Sequence, residues 1–203
     1  MVIRRRAISR RSMLQLATAL PLAGVLALTG QRAPARAEEL VWDSLKDGGR
    51  VALIRHAEAP GTGDPPHFVL GECATQRNLS GGGKAQAARL GAAFRANGVS
   101  VSQVLTSGWC RCIETATLAF GTAEIWPPLH SFFRDAGTEA AQTAAVRGRV
   151  AAWDGPGTLV MVTHQVNITA LTDIFPAAGE IVVLAPAAER GFGFSIVGRV
   201  TVG

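Results

Sequence analysis

Two histidines and two arginines stand where apolar, strand-like runs of the chain end. Val51-Ala52-Leu53-Ile54 leads into Arg55-His56, Val101 to Thr106 leads into Ser107 and then Arg111, and Thr158 to Thr163 leads into His164. Apart from Glu58, no carboxylate directly follows these runs. Such a set suits a dense anion, because guanidinium groups present planar forked donors that match phosphate oxygens. A helix opening near Cys110 adds backbone N–H groups and the positive end of its dipole, with Ser107 as its expected cap. The chemistry follows from charge. An in-line phosphoryl transfer needs its equatorial oxygens held and a nucleophile opposite the leaving group. A neutral imidazole serves as that nucleophile, and neighbouring cations disfavour its protonated form while the site is empty. The second imidazole, when protonated, donates to an equatorial oxygen. The cationic side chains supply the positive charge, so no metal and no cofactor is expected. Ser107 lacks the Gly-x-Ser-x-Gly elbow of serine hydrolases.

The elements that must position these residues alternate strand-like and helical runs. Helical spacing covers Lys84 to Asn97, Cys110 to Phe120 and Thr138 to Trp153, with a fourth helix capped by Asn167 and sharing Ile168, Leu171, Thr172 and Phe175 on one face. The Gly/Pro-rich stretch from Pro60 to Gly71 is a loop, and Glu180 to Leu184 and Phe192 to Val202 read as later strands. Continuous apolar strands separated by helices predict an α/β fold with a largely parallel sheet covered on both faces. Ligands of such sheets bind beyond the carboxyl ends of the strands. Arg77 and Asn78 are expected to shape a loop and cap the helix after them. His67 and His130 are expected in loops, Glu58 either orients the pocket or is solvated, and Trp109 is placed to line the pocket.

The chain has 203 residues and a formal charge of +5, which alone would suggest a polyanion partner. Position removes that suggestion: residues 1–37 hold seven arginines and no acid, leaving 13 basic and 15 acidic residues in 38–203. No nucleic-acid partner is therefore expected. Residues 1–37 read as a signal peptide, with a basic stretch, an apolar run from Met13 to Gly30 broken by Pro21, and Ala35-Arg36-Ala37 as a cleavage signal. Ser9-Arg10-Arg11-Ser12-Met13-Leu14 resembles a bacterial twin-arginine export signal. A periplasmic or otherwise exported domain over 38–203 is expected, without stable membrane insertion after cleavage. Its cysteines predict at most one disulfide, from Cys73 to Cys110 or to Cys112, or else three free thiols.

Four segments in chain order carry a resemblance. These are Arg55-His56-Ala57-Glu58; Arg77-Asn78-Leu79-Ser80 with Gly83 and Gln86-Ala87; Ser107 through Ala116 around Arg111; and Thr163-His164 with Ile168 and Ala170-Leu171. Together they resemble the motifs of the histidine phosphatase superfamily, in its phosphoglycerate-mutase-like branch. The similarity runs to exported bacterial members, a group including lipopolysaccharide core heptose-phosphate phosphatase-like proteins. The resemblance implies a three-layer α/β/α sandwich and a metal-independent phosphomonoester hydrolase. It implies that His56 attacks phosphorus to give a transient phosphohistidine, that Arg55, Arg111 and His164 hold the phosphoryl oxygens, and that water releases phosphate. The implied substrate is small or a phosphorylated envelope component. Two positions depart from the pattern. Ala57 replaces a glycine, and Phe133 stands where a Leu-x-Glu general acid is expected, leaving Asp135 first and Glu139 second as proton donors. Without an acid, substrates with good leaving groups are favoured, and the alternative is a catalytically weak or silent phosphate-recognising protein of the same fold.

Overall fold

The computed structural model describes residues 32–187 and 193–202. The expected leader therefore lies mostly outside the described residues. What is described begins with a helix, α1 (Arg32–Lys46), which runs through the expected cleavage point. Among its described side chains, the buried ones, Val41, Trp42 and Leu45, lie beyond Ala37.

Six strands form one sheet: β1 (Val51–Arg55), β2 (Val101–Thr106), β3 (Glu124–Ile125), β4 (Thr158–Thr163), β5 (Ile181–Pro186) and β6 (Phe194–Val200). Their order is β3-β2-β4-β1-β5-β6. The β3, β2, β4 and β1 strands are mutually parallel, and β5 runs antiparallel to both β1 and β6. Between them lie α2 (Gly81–Ala96), α3 (Cys110–Phe120), α4 (Glu139–Ala151) and α5 (Gln165–Thr172).

Side-chain alternation along each strand builds the layers. In β1, Ala52 and Ile54 join a core with α1, α2 and α3, whereas Val51 and Leu53 join one with α4 and α5. In β4, Val160 and Val162 face the first core, and Leu159 and Met161 the second. This is the expected α/β/α sandwich. Each fully buried Leu, Ile or Val contributes about 1.5–3 kcal/mol, so the sheet centre is the most firmly held part of the molecule.

Two glycines permit close approaches that bear on the site. A Cβ on Gly91 would stand 2.0 Å from the Ala119 carbonyl oxygen, so its absence lets α2 lie directly on α3. A Cβ on Gly83 would stand 2.0 Å from the Glu58 carbonyl oxygen, so the start of α2 packs on the segment just after His56.

Several boundaries differ from expectation. The α2 helix starts at Gly81 because Ser80 Oγ accepts the Gly83 N–H at 2.9 Å; Asn78 does not cap it. Ser107 does not cap α3: Trp109 holds the N-cap position, and the Ser107 hydroxyl is engaged elsewhere. His164, not Asn167, is the N-cap residue of α5, because β4 passes straight into that helix. Phe175 falls beyond α5 and is exposed. The short edge strand β3 was not anticipated.

Candidate active site

The parallel register brings the two histidines together. Arg55 pairs with Thr163 across β1 and β4, and the His56 N–H donates to the Thr163 carbonyl at 2.9 Å. One step further along each strand stand the His56 and His164 rings, their centroids 5.5 Å apart. Both are 3% exposed. Thr106 pairs with Val162 on the other side of β4, and the chain passes through Ser107 into α3, whose second residue is Arg111. Arg55, His56, Arg111 and His164 thus line one cavity of about 930 Å³.

Hydrogen bonds fix the state of each ring. His56 Nδ1 lies 2.8 Å from the Ala57 carbonyl oxygen. That oxygen only accepts, so Nδ1 carries the proton and the Nε2 lone pair remains free. Burial, then the nearby Arg111 charge, lower the His56 pKa to about 3, so the ring is a neutral nucleophile at ordinary pH. His164 Nδ1 accepts from Arg111 Nη2 at 3.3 Å, which puts its proton on Nε2, 2.8 Å from Ser107 Oγ. Burial and then His56 and Arg111 hold the His164 pKa well below the ordinary value.

Arg55 is seated by the turn that leads into the neighbouring strand β5. Its Nη1 donates to the Pro176 carbonyl at 2.8 Å. The buried Glu180 carboxylate accepts the Ala177 N–H and pairs with Arg199 of β6, closing that turn. Burial and the Arg111 charge lower the pKa of Arg55. The Nε atoms of Arg55 and Arg111 are both buried without a hydrogen-bond partner. Unpartnered buried donors are costly, and an anion in this cavity is the natural acceptor for them.

Three further residues were not foreseen as part of the site. Asp64, from the Pro60–Gly71 loop, reaches Arg111 at 2.7 Å and 3.3 Å. It also accepts the Arg77 N–H at 3.1 Å and the Trp109 Nε1–H at 3.0 Å. Burial pushes the Asp64 pKa up, but its Arg111 hydrogen bond and charge outweigh that and bring it below the usual carboxylate value. Arg77 lines the cavity rather than only shaping its loop; its guanidinium donates to the Gly63 carbonyl at 2.7 Å and to the Ala59 carbonyl. His130 also lines the cavity, with Nε2 buried and unpartnered. No residue pattern in the sequence marks Asp64 or His130, because each arrives on a loop. The Arg-Asn-Leu-Ser segment was the only available signal for Arg77. Four arginines line the cavity (Arg55, Arg77, Arg111 and Arg134) against two aspartates (Asp64 and Asp135), which leaves a net of two positive charges around the imidazoles and matches a phosphoryl dianion.

The remaining expected residues divide. Asp135 lies on the cavity wall, where its Oδ1 accepts the Gly137 N–H at 3.2 Å. Glu139 lines a different surface pocket and is exposed. Glu58 is exposed and accepts the Ser80 hydroxyl, away from the cavity lining. Trp109 does line the cavity, packed edge-on to both His130 and His164. Of the open cysteine pairings, Cys73–Cys110 is formed, and Cys112 is a buried thiol 3.5 Å from His164 Nε2. The disulfide ties the turn before Arg77 to the first residue of α3. Burial raises the Cys112 pKa to about 12, so this thiol is inert. Among the described residues, no three His, Cys, Asp or Glu side chains gather as a metal-holding group.

No protein-family model matches the sequence, and no curated protein matches it. Solved structures do. A protein provisionally assigned as an alpha-ribazole-5'-P phosphatase from Escherichia coli superposes with a TM-score of 0.55 at 18% identity, covering 76% of this chain and 98% of that one. A mycobacterial glucosyl-3-phosphoglycerate phosphatase in complex with VO3 gives 0.52 at 14% identity, covering 72% and 96%. The protein histidine phosphatase SixA complexed with tungstate gives 0.50 at 15%, covering 75% and 96%. At these identities the likeness is one of architecture: the chain has the phosphoglycerate-mutase-like fold of these phosphatases.

Proposed function

We propose that the protein is a metal-independent phosphomonoester hydrolase that works through a phosphohistidine, on a small or envelope-associated substrate outside the cytoplasm. The observation that carries this reading is the free Nε2 lone pair of a neutral, buried His56 in a cavity lined by four guanidinium groups. His56 Nε2 attacks phosphorus, an N–P bond forms, and the P–O bond to the leaving group breaks. Arg55 and Arg111 hold equatorial oxygens, and Asp64 keeps the Arg111 fork oriented. His164, once it takes a proton on Nδ1 in the presence of the dianion, donates to a further oxygen. The leaving oxygen takes its proton from Asp135 on the wall. Water then attacks the phosphoimidazole, an O–P bond replaces the N–P bond, the water's proton returns to Asp135, and His56 is restored.

The structural likeness to phosphatases and the order of the four sequence motifs both support this reading. Its test is turnover of an aryl phosphate in the presence of chelator, with phosphorus NMR of acid-quenched and base-quenched enzyme. Wild type is expected to turn over and to trap a base-stable, acid-labile phosphoryl group, while His56→Ala does neither. Activity surviving in His56→Ala, or abolished by chelator, overturns the mechanism. The alternative of a silent phosphate-binding protein is favoured by one feature, the absence of a carboxylate at Phe133. It predicts phosphate-dependent thermal stabilisation with no turnover on any leaving group.

A further inference from the structure

We infer that the leaving group of the natural substrate is flat and apolar, so that the site takes phosphomonoesters of aryl or arylalkyl alcohols rather than of polyols; this rests on the phosphatase reading above. The cavity of about 930 Å³ is far larger than a phosphoryl group needs. Beyond its cationic floor one stretch of the wall is aromatic and prolyl. Phe68 stacks on Trp109 with centroids 5.2 Å apart and planes inclined by 19°. Pro127, Pro128 and Phe133 continue the wall. The Phe133 ring packs against Gly63 yet leaves the residue 57% exposed, an apolar group in water until something covers it.

Arg134, which donates to the Pro65 carbonyl at 3.3 Å, and Asp135 are the charged members of this wall, and most of its neutral polar side chains are already committed. Gln142 Nε2 donates to the carbonyls of Pro127, Pro128 and His130, and its Oε1 accepts from the Thr138 hydroxyl at 2.7 Å. Gln165 Nε2 donates to Thr169 Oγ1 at 2.9 Å. The Ser131 hydroxyl accepts the Phe133 N–H at 3.3 Å. A polyol entering here would lose hydration from several hydroxyls and find few partners for them. An arene loses nothing of that kind and gains contact with the stacked pair. Ligand sites of this composition, apolar walls with few polar anchors, orient flat apolar groups. The apolar Phe133 at the place expected for an acid fits the same substrate class, since phenolic leaving groups need less proton donation.

The test pairs 2-phenylethyl phosphate with glycerol 3-phosphate, two primary-alcohol leaving groups, so that chemistry at the leaving oxygen is nearly matched. Wild type is expected to show kcat/KM at least tenfold higher for the arylalkyl ester, and Phe133→Ala to bring the ratio below about threefold. Equal or faster turnover of glycerol 3-phosphate, or a ratio unchanged in Phe133→Ala, overturns the inference and leaves the phosphatase reading intact. Absence of turnover with both esters and with an aryl phosphate removes the phosphatase reading. Calorimetry on wild type with 2-phenylethylphosphonate and methylphosphonate then decides the inference by binding alone: at least tenfold tighter binding of the former sustains it, and equal binding overturns it.

Discussion

The floor of the cavity and its walls are built on different physical terms. Arg55, His56, Arg111 and His164 stand within a few residues of the ends of central strands, so parallel pairing and two buried cores place them. The walls come mainly from the 60–78 and 126–138 segments, which among the described residues contain only short turns and no strand, with Trp109, Gln142 and Gln165 added from helix starts and faces. They are held instead by one disulfide and by side chains that reach backbone groups, as Arg77, Gln76 and Gln142 do. The difference teaches that reactivity and selectivity are separable here. The floor can be fixed by the fold while the walls change with loop sequence.

Substitutions in the two regions should separate accordingly. The largest effect is expected on the floor: Arg111→Ala removes a guanidinium beside both histidines and should lower kcat/KM by about 10³-fold, or about 4 kcal/mol. Steady-state kinetics on a chromogenic aryl phosphate checks it, and a loss below tenfold would place the anion elsewhere. Next is the clamp on the wall. Cys73–Cys110 closes a loop with a sequence separation of 37, so Cys73→Ser or reductant should cost about 2–4 kcal/mol of stability. Thermal melts read this, and an unchanged melting temperature would mean the wall needs no clamp.

A smaller effect joins the two regions. Asp64→Ala leaves the 3%-exposed Arg111 without its carboxylate. The cost should be about 2 kcal/mol, at or below the low end for a broken buried pair because the cavity admits water. Inorganic phosphate should restore more of the melting temperature in this variant than in wild type, by taking the vacated donors. Equal restoration would show that Asp64 and the anion do not share Arg111.

The smallest and broadest effect is on pH. Folding depresses the pKa of His56 to about 3 and lowers those of His164 and His130, so the unfolded chain binds more protons in acid. The stability associated with these neutral rings is complete above about pH 6.5 and is lost as pH falls toward 3. Asp64, also depressed, adds to the loss below its ordinary carboxylate value. Denaturant midpoints measured from pH 8 to pH 4 should fall, and less steeply with phosphate present. A flat profile contradicts the buried neutral imidazoles.

The same division explains what the sequence made legible. Helix α3 matched its expected bounds because Gly121 ends it with φ +76°, a left-handed turn that glycine adopts readily. Arg55, His56 and His164 were visible because they stand at the ends of continuous apolar runs, and Arg111 because it opens the helix that follows another strand-like run. Asp64, Arg77 and His130 were not, because no periodicity governs a loop, and the bonds that aim them join residues up to 47 positions apart. The start of α2 was obscured by three consecutive glycines, which carry weak helix propensity. The Ser107 side chain was misassigned for a related reason: a hydroxyl near a helix start suggests a cap, whereas the closeness of His164, 57 residues away, decides its partner.

The turn that seats Arg55 has a consequence for how the molecule is made. Glu180 shapes that turn, and Arg199 of β6 is its ionic partner. The guanidinium at position 55 therefore takes its final orientation only after the segment from Pro176 to Arg199 has been made and folded against it. A nascent chain has its nucleophile early and the seat of Arg55 late, which delays phosphate capture until β6 is in place.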